Sequence, residues 1–167
     1  MAEGLFITRK DLVKFTSTNA NIDSDKFIQF IKIAQDIHVQ TYLGTDLFEK
    51  IRKDIQDGTL SGDYLTLVTD YIKPVLVHFA MVEALPFLGY SIANKGIYKQ
   101  NSENADTATK EEIDFLIEKE RKIAQFYAER LIDHMNYNAS NKYPEYFSNA
   151  NEGMFPENDA NFQGWVL

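Results

Sequence analysis

Apolar residues recur every three or four positions over most of the chain, a spacing that predicts helices rather than strands. Leu5-Phe6-Ile7 is an apolar triplet ahead of Thr8, which can cap a short helix from about Arg9 to Phe15 with Asp11 in its first turn; the triplet would staple or dock that helix. Ser17 to Asn21 reads as a polar turn. Phe27, Phe30, Ile31, Ala34, Ile37 and Val39 predict a second helix, capped by Asp23 or Ser24 and stopping near Leu43-Gly44. Thr45 opens a third, in which Leu47, Phe48, Ile51 and Ile55 share a face and Asp57-Gly58 marks the end. A fourth begins after Ser61-Gly62. It has Pro74 in its interior, where a missing donor and a ring clash predict a kink or a break. Residues from Val75 to Leu88 are apolar on nearly every side, which predicts the central element. Ile113, Leu116, Ile117, Ile123, Ala124, Tyr127, Leu131 and Met135 predict a long amphipathic helix from Lys110 to about Tyr137.

Two stretches break the periodicity. Asn94 to Thr109 is rich in Asn, Ser, Asp and Thr, which compete with helix through local hydrogen bonds, so it predicts a mobile loop. The last thirty or so residues carry recurrent Asn, prolines at 144 and 156 and glycines at 153 and 164, yet they hold many rings. The expectation is an all-α, compact bundle of about five helices over residues 1–137, followed by an extended, non-regular aromatic arm over 138–167. Rings on an arm want a surface. Tyr143, Pro144, Tyr146, Phe147, Phe155, Phe162 and Trp165, with Lys95 and Gly96 of the polar loop, are therefore the candidate interface residues.

At 167 residues the chain is the size of one domain, and 44% hydrophobic with 25% charged residues exclude a wholly disordered reading. No cysteine is present, which removes disulfides, thiolate nucleophiles and zinc ribbons. The first residues resemble no signal peptide, so synthesis in the cytoplasm is expected. Tyr71 to Ala93 is long enough to cross a bilayer, but Lys73, Pro74, His78, Glu83 and Pro86 interrupt it; a buried core helix and no membrane partner are expected. A net charge of -8 argues against general attraction to nucleic acid. Basic clusters at Arg9-Lys10, Lys50-Arg52-Lys53 and Lys119-Arg121-Lys122 sit beside acids at helical spacing, as on solvated faces.

Candidate chemistry is sparse. His38, His78 and His134 lie far apart without metal-ligand spacing, so no metal and no cofactor is expected; the first two read as satisfied core or boundary residues and His134 as a surface residue. Gly89-Tyr90-Ser91-Ile92-Ala93 lacks the second glycine of a nucleophile elbow and its context reads as helical. No glycine-rich phosphate loop occurs. Glu111, Glu112, Asp114, Glu118 and Glu120 are interleaved with lysines and arginine as on a solvated face. Glu83 stands alone in the most apolar helix and calls for a partner such as Lys95, Lys73 or a tyrosine hydroxyl. Catalysis would require Glu83 and a nearby histidine in one concave pocket; no enzyme is expected.

Leu5-Phe6-Ile7 with Asp11-Leu12, Asn21-Ile22-Asp23, Lys26-Phe27 and Ala34-Gln35 leading to Tyr42-Leu43-Gly44-Thr45-Asp46-Leu47 resemble the small head-tail connector proteins of phages infecting Bacteroidetes, including crAss-like phages. The resemblance continues through Tyr64, Tyr71-Ile72-Lys73-Pro74, Asn94-Lys95-Gly96 and Tyr143-Pro144-Glu145-Tyr146, and rests on the order of these turn, cap and packing residues. It implies a non-enzymatic adaptor docked beneath the portal as a ring, commonly of about twelve copies. Its partners would be itself, the portal, further neck or tail proteins and genomic DNA that passes without sequence-specific binding. Its place would be the virion neck, after synthesis in the host cytoplasm. The alternative reading is a small acidic helical regulator of a host or phage partner.

Overall fold

The computed structural model describes residues 4–17, 24–88, 90–93, 96–99, 108–149 and 153–158. α1 (Arg9–Phe15) starts at a capping box in which Thr8 and Asp11 satisfy each other's backbone N–H. Phe6 and Ile7 ahead of it are buried, and Phe6 packs on Phe48 with ring centroids 5.2 Å apart.

α2 (Ser24–Ala34) runs through a π-helical turn, Gln35–Val39, into α3 (Gln40–Leu43). The wider turn shifts the phase of the pattern, so Val39 and Leu43 face the core and Ile37 stands exposed, contrary to the periodicity expectation. Gly44, at φ +75° and ψ 162°, then allows the immediate start of α4 (Thr45–Asp57), whose Leu47, Phe48 and Ile51 are buried. Gly58 closes α4 in the left-handed conformation.

α5 (Gly62–Thr66), a second π turn (Leu67–Ile72) and α6 (Lys73–Leu88) follow one another directly. The chain does not break at Pro74. The N–H of Lys73 reaches five residues back to the carbonyl of Val68, and this wider turn makes room for the proline ring that would clash in a regular α-helix. Gly62–Leu88 is long and apolar enough to cross a bilayer by length and composition, but half of its most apolar window is buried here. α6 is the central element: eight of its residues, including Val75, Leu76, Phe79 and Ala80, are buried. It packs most extensively against α7 (Lys110–Lys142) and then against α2.

The helical bundle is therefore the expected one, with two departures. A hairpin of β1 (Tyr90–Ala93) and β2 (Gly96–Lys99) pairs Ile92 with Ile97 and Ala93 with Gly96, where a loop was expected from Asn94. Tyr90 to Ala93 thus form a strand where a helical context was expected, and Ser91 lies within that strand. The last long helix runs to Lys142, five residues beyond the expected arm boundary, because Ala139 still packs in the core.

Candidate functional site

The rings grouped as an outward arm separate into two sets. Tyr143 and Tyr146 are buried in the chain's own core, which corrects their reading as interface residues. Pro144 opens a short 3₁₀ turn, Pro144–Phe147, and is exposed, as are Phe147 and Phe155. Gly96 begins β2, whereas Lys95, Phe162 and Trp165 lie outside the described residues.

Tyr143 closes a polar clasp between α7 and the start of α5. Its hydroxyl donates to the Asp63 carbonyl at 3.2 Å and lies 3.2 Å from Nε2 of His134. Having spent its proton on Asp63, the hydroxyl accepts at His134, so Nε2 carries the hydrogen. His134 Nδ1 is then the free acceptor, and Nδ2 of Asn138 donates to it at 3.2 Å while also donating to the His134 carbonyl at 2.9 Å. Tyr71 stacks on the imidazole at 3.8 Å. His134 is thus half-buried and locked in one neutral tautomer, not a free surface residue. Burial, the nearby Lys142 and Arg130 hold its pKa below the usual histidine value against the pull of Asp63. Burial, with Asp63 and Tyr71, pushes the Tyr143 hydroxyl up to about 12. These bonds fasten α7 to the start of α5.

A histidine whose folded pKa lies below its unfolded value of about 6.5 favours folding above that value. The contribution is lost as pH falls through the folded pKa. NMR titration should therefore place the His134 midpoint below 6.5 with the Nε2–H tautomer at neutral pH, and His134→Gln should flatten this part of the stability decline between about pH 7 and 5. A midpoint above 6.5 would contradict the clasp.

The C-terminal segment is zipped onto the α3–α4 corner. The Thr45 N–H donates to the Met154 carbonyl at 2.9 Å, the Met154 N–H to Thr45 Oγ1 at 2.8 Å, and the Glu157 N–H to the Thr41 carbonyl at 2.8 Å. Two glycines permit this approach: a Cβ on Gly153 would lie 2.6 Å from Thr45 Cβ, and one on Gly44 would lie 2.9 Å from Pro156 Cδ. Met154 and Phe155 project from this fixed backbone into solvent.

Glu83 finds its partner in His38, with Nε2 at 3.0 Å, and His38 stacks on Phe79; Lys73 instead pairs with Asp11 at 3.3 Å. Likewise Glu120 is no part of a solvated face. It is largely buried and sits 2.7 Å from Nδ1 of His78. Among the described residues no three His, Asp or Glu side chains gather as a metal site. A depression of about 590 Å³ along α4 carries Asp46, Glu49, Lys50, Arg52, Lys53 and Asp57, charges of both signs as on a solvated face.

A tighter cleft of about 230 Å³ opens between α1, α6 and α7. Phe15, Pro74 and Tyr127 give it apolar walls, Lys73 and Arg130 supply cations, and Thr69 and His78 complete the lining. Neither cleft includes Glu83 or His38. Sequence inspection missed this cleft, because its residues come from three helices and share no local spacing.

Phe115, Phe126 and Tyr137 stand on the outer side of α7 with exposures of 68%, 63% and 85%. They are spaced eleven residues apart, about 1100° or three turns plus 20°, so they form one line with roughly 16 Å between neighbours.

No curated protein and no solved structure matches the chain. A family model does, over residues 39–155, which runs from the π turn before α3 through the tail segment on the α3–α4 corner. The match covers well over half of the chain, so this protein belongs to DUF6712, a family of unknown function.

Proposed function

We propose that this chain is a structural component of a tailed-phage particle: a head-tail connector that forms a ring beneath the portal, joins capsid to tail, and lets the genome pass without sequence-specific binding. The observation that carries the reading is the line of rings on α7. Three large aromatic side chains, each more than three-fifths exposed, occupy one face of a 33-residue helix. Such a face loses free energy when another protein covers it, as large exposed apolar patches generally do. Phe147, Met154 and Phe155 repeat the pattern at the α3–α4 corner. The ordered sequence resemblance supplies the setting in which such faces are covered.

In an infection in which this chain is not made, heads should fill with DNA and fail to acquire tails. Normal tailed particles under those conditions would overturn the connector role and favour a soluble regulator.

A further inference from the structure

We propose that Phe155 of one copy seats in the cleft between α1, α6 and α7 of the next, joining copies head to tail. This rests on the assembly reading above and names the contact that such an assembly uses.

The projecting part is preorganised. Backbone hydrogen bonds at Met154 and Glu157 fix the chain on both sides of Phe155, so little backbone freedom is lost when the ring, 65% exposed, is buried. The receiving part has the matching size and walls. A cavity of about 150 Å³ accommodates a benzene ring, and this cleft offers about 230 Å³ between Phe15, Pro74 and Tyr127.

Charge agrees with shape. Glu157, two residues beyond the ring, is exposed. In the cleft Lys73 is engaged by Asp11 and His78 by Glu120, whereas the Arg130 guanidinium lies over the Tyr71 ring at 5.4 Å. Arg130 is therefore the cation available to an incoming carboxylate.

The two parts cannot meet within one copy. Nδ2 of Asn136 on α7 holds the Asn158 carbonyl of the tail segment, while Tyr127 of the same helix lines the cleft. These positions are nine residues apart, about 900° or two and a half turns, which puts them on opposite sides of α7. A contact in which each copy enters one neighbour and receives another is heterologous, and repetition of one rotation then closes a ring or winds an open helix.

The test uses the full chain with p-benzoylphenylalanine in place of Phe155, mixed with an isotope-labelled copy and irradiated. Mixed-isotope cross-linked peptides containing Phe15, Thr69–Pro74 or Tyr127–Arg130 are expected. Arg130→Glu should weaken self-association at least tenfold, and combining it with Glu157→Lys should recover most of the loss. Cross-links only to other surfaces, an exclusively monomeric chain without cross-links, or an Arg130→Glu variant that associates normally would each overturn the inference. If the chain is counted in particles but fails this test, only the named contact falls. If it cross-links as expected but is absent from particles, only the connector role falls.

Discussion

Gln35→Met should lower the stability of the fold by about 2–5 kcal/mol, although the two side chains have similar volumes. Gln35 is 3% exposed and is the buried polar residue of the core among the described residues. Its Oε1 accepts from the Phe6 N–H at 2.9 Å and its Nε2 donates to the Gly4 carbonyl at 3.0 Å. Methionine orphans both backbone groups in an interior that offers them no replacement, at about 1–3 kcal/mol each. The damage should spread. Residues 4–6 are held by this amide, Gly4 lies so close to α4 that a Cβ would meet Arg52 Cγ at 2.6 Å, and Phe6 packs against Phe48. For a chain of this length the melting temperature should fall by roughly 5–20 °C. A shift under about 2 °C would mean that the clamp is dispensable.

Gly44→Ala should cost about 2–4 kcal/mol and should selectively release the tail segment from the α3–α4 corner. At φ +75° and ψ 162° the backbone occupies a region open essentially to glycine alone, so a methyl group strains the turn itself at about 1–3 kcal/mol. The added Cβ also meets Pro156 Cδ at 2.9 Å and the Met154 carbonyl at 3.1 Å, groups on the very segment that zips onto Thr45. Hydrogen exchange should show lost protection at the Thr45 and Glu157 N–H groups with the α6 amides still protected. Equal loss throughout α6 would show instead that corner and core open as one unit.

Much of the fold is legible where cause and effect are close in sequence. Thr8 and Asp11 cap α1 three residues apart, Gly44 and Gly58 end helices where they stand, and the Leu47, Phe48, Ile51 stripe faces the core as its spacing requires. The π turns are not legible, because an extra residue per turn is selected by what the helix packs against; Ile37 was misplaced for that reason. The hairpin was hidden by its polar surroundings, although Tyr and Ile flank the short Asn94-Lys95 connection.

The candidate site was half legible for a related reason. Phe147 and Phe155 are exposed as an aromatic arm suggests, but Tyr143 and Tyr146 follow the last periodic residue and still enter the core. Composition identifies rings that need a surface without saying whether that surface belongs to the same chain. The partners that decide it are remote: Tyr64 donates to Glu145, 81 positions away, and His38 meets Glu83, 45 positions away. No local pattern encodes such pairs.

The central claim, that this chain is a structural part of a phage particle, is tested most directly by quantitative mass spectrometry of purified particles, counting the chain against the major capsid protein. The account predicts about a dozen copies per particle, the number that the resemblance to ring-forming connectors implies. Absence of the chain from intact particles would contradict it.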